Sequence, residues 1–135
     1  MKNALILIAA AIVATAASEI LACGACAEDL VAATYDHAII DTAKAKHQQV
    51  VFVAVDGPTN ARKVNARIVA AAPKVRGVQA GTLRTSLAPR TFSFALDGTQ
   101  EPRGAVAGFS KAIGDSSTHL TLVRIMRDGI LIEPN

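Results

Sequence analysis

Sulfur and aromatic rings are both scarce in this chain. It has two cysteines, no tryptophan, one tyrosine and four phenylalanines, with an aromatic share of 4%. Having only two cysteines excludes a zinc site built on four thiolates. So few rings cannot interleave with basic residues to make a stacking platform for bases. Charge of either sign is also thin: 14 Lys+Arg stand against 11 Asp+Glu for a net +3. The basic residues (Arg62, Lys63, Arg67, Lys74, Arg76, Arg84, Arg90) are scattered rather than clustered, so nucleic acid is not an expected partner. Gly104 and Gly108 lack the surrounding pattern of a phosphate loop. Ser110, Ser116 and Ser117 lack a nucleophile-elbow context. No internal repeat divides the chain, and only one long apolar run occurs, over residues 4–17.

That run has the order of a secretory signal. Lys2 supplies the positive n-region, the apolar stretch follows, and small residues offer cleavage after Ala17 or Ala22. It is shorter than the about 20 residues a membrane-spanning helix requires. Residues 1–22 are therefore expected to be a signal peptide, and the protein to be periplasmic or secreted, with no membrane span after cleavage. Cleavage removes Lys2 and Glu19, one charge of each sign, and leaves the net charge unchanged. Ile20-Leu21-Ala22-Cys23 also resembles a bacterial lipobox. In that alternative the protein is lipid-anchored through Cys23, whose sulfur is then consumed as a thioether.

Cys23-Gly24-Ala25-Cys26 opens the segment 23–47. An exported protein thus has one paired-thiol site, with three chemical readings. In the first, Cys23 and Cys26 lie at a helix N-terminus, where backbone N–H groups favour thiolates. Two thiolates suit a soft ion such as Cu(I). Glu28 and Asp29 are near but hard, and they also suit the first turn of a helix as charges facing the positive end of its dipole. His37 would lie ~16 Å along a continuous helix, too far to share the ion. A metal-donor or metal-acceptor protein, or a second copy, would complete the coordination. In the second reading, Cys23 and Cys26 form a disulfide, as paired cysteines tend to do in oxidising compartments. In the third they catalyse thiol–disulfide exchange, although a thioredoxin-like arrangement would need a strand just before the motif. The expected function is that of a non-enzymatic, soft-metal-binding protein; the alternatives are a protein-interaction module with a structural disulfide, then an exchange protein. Tyr35-Asp36-His37 diverge by about 100° per residue along a helix, so His37 reads as a surface residue. His47 reads as a helix-end cation and His119 as a strand-entry residue.

The pattern predicts a helix over residues 27–46, with Val31, Tyr35, Ala38, Ile39 and Thr42 at helical spacing. Residues 50–55 form a continuous β-branched and aromatic run, the mark of a strand buried on both faces. Thr59 or Asn60 caps a helix burying Ala61, Val64, Ile68 and Ala71 until Pro73 stops it. Strands are predicted over 78–87 and 91–96, the first with a bulge or edge at Gly81. A helix with Pro102 in its first turn follows, ending at Gly114. The last long strand spans 118–126, and Asp128-Gly129 turns the chain into Ile130-Leu131-Ile132. The expected fold class is α+β: residues 48–135 form a ferredoxin-like βαββαβ sandwich, and the N-terminal helix adds to the same compact unit. Its helices would cover one face of a four-stranded sheet and bury Phe52, Phe92, Phe94, Phe109 and Leu122.

Over about residues 50–125 the chain resembles the heavy-metal-associated domain, a small ferredoxin-like module carrying copper and other soft ions. The resemblance rests on Val51-Phe52-Val53-Ala54-Val55-Asp56-Gly57, the helix after it, and Val75-Arg76-Gly77-Val78 opening the second strand. It implies a ferredoxin-like fold. The family holds its metal with cysteines in the loop after the first strand. Here that loop reads Gly57-Pro58-Thr59-Asn60, so no ligand is carried over, and the chain's own cysteine pair precedes the added helix.

Overall fold

The computed structural model describes residues 26–135. The expected signal segment and Cys23 lie outside the described residues.

The single N-terminal helix expected over residues 27–46 is two helices, α1 (Ala27–Thr34) and α2 (His37–Ala45). The break falls at Tyr35 and Asp36, both extended. The Asp36 carboxylate accepts from the backbone N–H of Ala38 at 3.0 Å and of Ile39 at 3.2 Å, capping α2. An aspartate that bonds to nearby backbone competes with helix continuation, which is why it sits at a cap. The apolar spacing concealed the break because both helices turn their buried residues (Val31 and Thr34, then Ile40 and Ala43) towards the same sheet face.

Strand β1 (Gln49–Asp56) is central, pairing antiparallel with β3 (Arg90–Leu96) and β4 (His119–Arg127). Its continuous apolar run is buried on both sides, as the sequence predicts. Against β4 the register slips between Phe52, opposite Arg124, and Val53, opposite Leu122; Val123 is the extra residue of a bulge. Helix α3 (Ala61–Ala71) begins at Asn60, whose side chain accepts from the N–H groups of Arg62 and Lys63. It ends in a short 3-10 turn containing Pro73. Strand β2 (Arg84–Leu87) is shorter than the predicted 78–87, and Val78 contributes only an isolated bridge to Leu96. Helix α4 (Pro102–Ile113) starts at its proline and stops at Gly114, which adopts φ 66°. Asp128 and Gly129 both take positive φ in a two-residue turn, and β5 (Ile130–Ile132) then pairs back on β4.

The result is an α+β fold with an open, five-stranded antiparallel sheet in the order β2-β3-β1-β4-β5. Two expectations are corrected. The sheet has five strands rather than the four of the ferredoxin-like arrangement, because the apolar run after Asp128-Gly129 pairs as an edge. The two helices of the expected sandwich, α3 and α4, do share one face, the added N-terminal helices cover the other, and Phe52 packs under the latter. On one face α3 and α4 pack over Val51, Val53, Val55, Phe92, Phe94 and Leu96. The rings of Phe92, Phe94 and Phe109 meet there at centroid separations of 4.9 to 6.0 Å. On the other face Val31, Ile40 and Ala43 pack against Val50, Phe52, Ala95 and Met126. Phe52 therefore belongs to the second cluster. Side chains alternate along a strand, so Phe52 cannot share a face with Val51 and Val53. Each fully buried phenylalanine contributes about 1.5–3 kcal/mol of burial.

Candidate functional site

Of the two cysteines singled out by the sequence, the structure describes Cys26 only. It is the N-cap residue of α1, in extended conformation, and its carbonyl accepts from the Leu30 N–H at 3.1 Å. The residue is exposed. Glu28 and Asp29 follow in the first turn, also exposed. Val31 and Thr34 of α1 are buried, so this helix is mounted on the sheet rather than projecting from it. Among the described residues, no group of three or more His, Cys, Asp or Glu is placed to hold a metal ion.

The other candidates are dispersed. His37 is exposed in the first turn of α2, its ring meeting that of Tyr35 edge-on at 4.8 Å. His47 lies beyond the end of α2 with φ 55° and is exposed, and His119 is exposed where β4 begins. Met126, a sulfur donor that only tertiary folding could bring to the site, is buried in the core between the sheet and α1–α2.

The loop that would hold metal in the heavy-metal-associated family is here a structural brace. Thr59 Oγ1 donates to Asp115 Oδ2 at 2.8 Å, and Thr118 Oγ1 donates to the same oxygen at 2.9 Å. The Ser117 hydroxyl and N–H donate to Oδ1 at 2.7 and 3.0 Å. Arg67 adds a contact at 3.3 Å. Hydrogen bonds from Ser117 and then Thr59, followed by that from Thr118, hold the Asp115 carboxyl far below the usual carboxylate range. Arg90 completes the brace, donating to the carbonyls of Gly57 at 2.8 Å and Thr59 at 3.0 Å. These bonds join the β1–α3 and α4–β4 loops. They occupy both oxygens of Asp115, which leaves it poorly suited to bind a cation. The sequence reading missed this network; the run Asp115-Ser116-Ser117-Thr118, in which a side chain can bond to backbone two residues on, was the available signal.

An open cleft of about 590 Å³ lies beside α4, between that helix and the segment after α3. Val75 and Ala105 line it, with Lys74, Arg76 and Lys111 set against Glu101. It lies on the face of α3 and α4, whereas Cys26 opens α1 on the other face. Among the described residues, no helix is long and apolar enough to cross a membrane.

No protein-family model, curated protein or solved structure matches the chain.

Proposed function

We propose that this is a small exported, non-enzymatic protein that holds a soft metal ion, Cu(I), between Cys23 and Cys26 and exchanges it with a metal-donor or metal-acceptor protein. The observation that carries this reading is the placement of Cys26, exposed at the N-terminus of a helix that packs firmly on the sheet. An accessible thiolate there is favoured by the helix N–H groups and suits a soft cation. Two thiolates leave the ion open to a third ligand from a partner, as transfer between proteins requires. In fold terms, β1-α3-β2-β3-α4-β4 reads as a ferredoxin-like core, with β5 added at one edge and α1–α2 laid over the face that such a core leaves bare.

The test is competition for Cu(I) between the reduced protein, as recovered from the expressing cell, and a weak chromogenic chelator. The expected result is one equivalent of copper withdrawn from the chelator, and none by the variant carrying Cys23→Ser and Cys26→Ser. Failure to withdraw copper, or equal withdrawal by the doubly substituted variant, overturns the proposal.

A further inference from the structure

The edge of the sheet at β5 is an apolar strand left open to solvent. Ile130, Leu131 and Ile132 are 66%, 41% and 37% exposed. None is charged and none is proline, the residues that commonly blunt an edge. The opposite edge, β2, is more polar (Arg84-Thr85-Ser86-Leu87), and its Arg84 is tied to Asp36 at 2.9 Å.

The register determines which backbone groups of β5 remain available. Arg127 pairs with Ile130 across the two-residue turn, and Ile125 pairs with Ile132. In such a hairpin the closing pair exchanges both of its hydrogen bonds, and alternate residues turn their backbone groups away. The N–H and C=O of Leu131 therefore point outwards, towards no strand among the described residues.

We propose that β5 is the contact surface for a second copy of this chain, the two strands pairing antiparallel about a twofold axis at Leu131. Leu131 of each copy then exchanges its N–H and C=O with Leu131 of the other. Ile130 falls opposite Ile132 of the second copy, and Glu133 falls opposite its Gly129.

Charge supports this occupant and this register. Leu131 pairs with Met126, and Met126 packs with Ile40 and Ala43 of α2, so Leu131 and Glu133 lie on the α2 face. Glu133 has an 80% exposed side chain, joined on that face to Arg124 at 3.1 Å. Gly129 has no side chain, and Lys44 of α2 lies over it, with Cδ 3.8 Å and Nζ 3.9 Å from where a Cβ would stand. Lys44 makes no ion pair among the described residues. With Leu131 opposite Leu131, each Glu133 is brought to the Lys44 of the other copy, and the twofold axis makes two such pairs. Along a strand rising about 3.3 Å per residue, Glu133 is too far from Gly129 to meet Lys44 within its own chain. A three-residue edge is small, so the dimer should form reversibly and dissociate on dilution.

The experiment is sedimentation equilibrium of the chain as recovered from the expressing cell, with reductant present to prevent cysteine cross-links. The expected result is an average mass that climbs from monomer towards dimer as concentration rises. Leu131→Asp, with circular dichroism confirming the fold, should weaken association about tenfold or more. Lys44→Glu and Glu133→Lys should each weaken it alone, whereas an equimolar mixture of these two variants should recover it, since each chain then supplies the charge the other lacks. The mixing arm does not depend on Leu131→Asp folding. A monomer at every concentration into the millimolar range, association unmoved by Leu131→Asp, or a mixture no stronger than its components would each overturn the proposal.

Discussion

Thr34 provides a test of the packing between α1 and the sheet in which the sign of the effect carries the information. The residue is only 5% exposed, and its Oγ1 is buried without a hydrogen-bond partner among the described residues. Its backbone carbonyl is better placed, accepting from the Ser93 hydroxyl at 3.1 Å. Thr34→Val replaces the stranded hydroxyl with a methyl group of nearly the same size and leaves the Ser93 bond intact. Burying an unsatisfied polar group costs about 1–3 kcal/mol, and the substitution removes that cost. Valine and threonine have similar helix propensities, so the backbone contributes little. A net gain of about 1 kcal/mol should raise the melting temperature by roughly 4 °C for a domain of this size. Thermal unfolding followed by circular dichroism measures it, with urea unfolding as a check that the denaturant slope is unchanged. Thr34→Ser serves as the control, since it keeps the hydroxyl and deletes only the methyl, and it should melt below the parent. If Thr34→Val melts at or below the parent temperature, the hydroxyl has a partner and the reasoning fails.

Two further outcomes follow from the brace at Asp115. Its folded-state pKa lies below the ordinary value of 3.8, as do those of Asp36, through the Ile39 N–H and then Arg84, and Asp97, through Thr99. A depressed carboxylate contributes stability that is fully present above its unfolded value and is lost as pH falls through the folded one. Stability should therefore be flat from neutrality down to about pH 5 and decline below about pH 4, with Asp115→Asn making that decline shallower in urea titrations at successive pH values. Gly57, with φ 130°, approaches the Ser117 carbonyl so closely that a Cβ would stand 2.3 Å from its oxygen. Gly57→Ala should cost about 2–4 kcal/mol in urea unfolding, and an unchanged midpoint would show that the two loops are not held as described.

Much of this protein was legible from residue order alone, because the relevant physics is local. Residues 50–55 announced a central strand, since a run apolar at every position has to bury both faces. Thr59 or Asn60, Pro102 and Gly114 marked helix ends through capping chemistry and backbone geometry that need no partner elsewhere in the chain, and the structure chose Asn60. Asp128-Gly129 marked a two-residue turn in the same way. The placement of Cys26 at the start of a helix was visible in the same way.

What only the tertiary structure decided concerns surfaces that meet across long sequence separations. Periodicity could not say that Asp36 would break the first helix, because the cap competes with a helix whose two halves both face the sheet. Nor could alternation along β1 say what would cover each side. That α1 and α2 lie over Phe52, leaving Phe92, Phe94 and Phe109 to α3 and α4, depends on how the connections cross the sheet. The brace at Asp115 gathers Thr59, Arg67, Ser117 and Thr118 from two loops and a helix. The exposed edge at β5 exists because the sheet ends there. Local preferences arise from a residue and its near neighbours, so the chain states them in order. Burial and pairing arise from which surfaces meet, and that is settled only when the whole chain has folded.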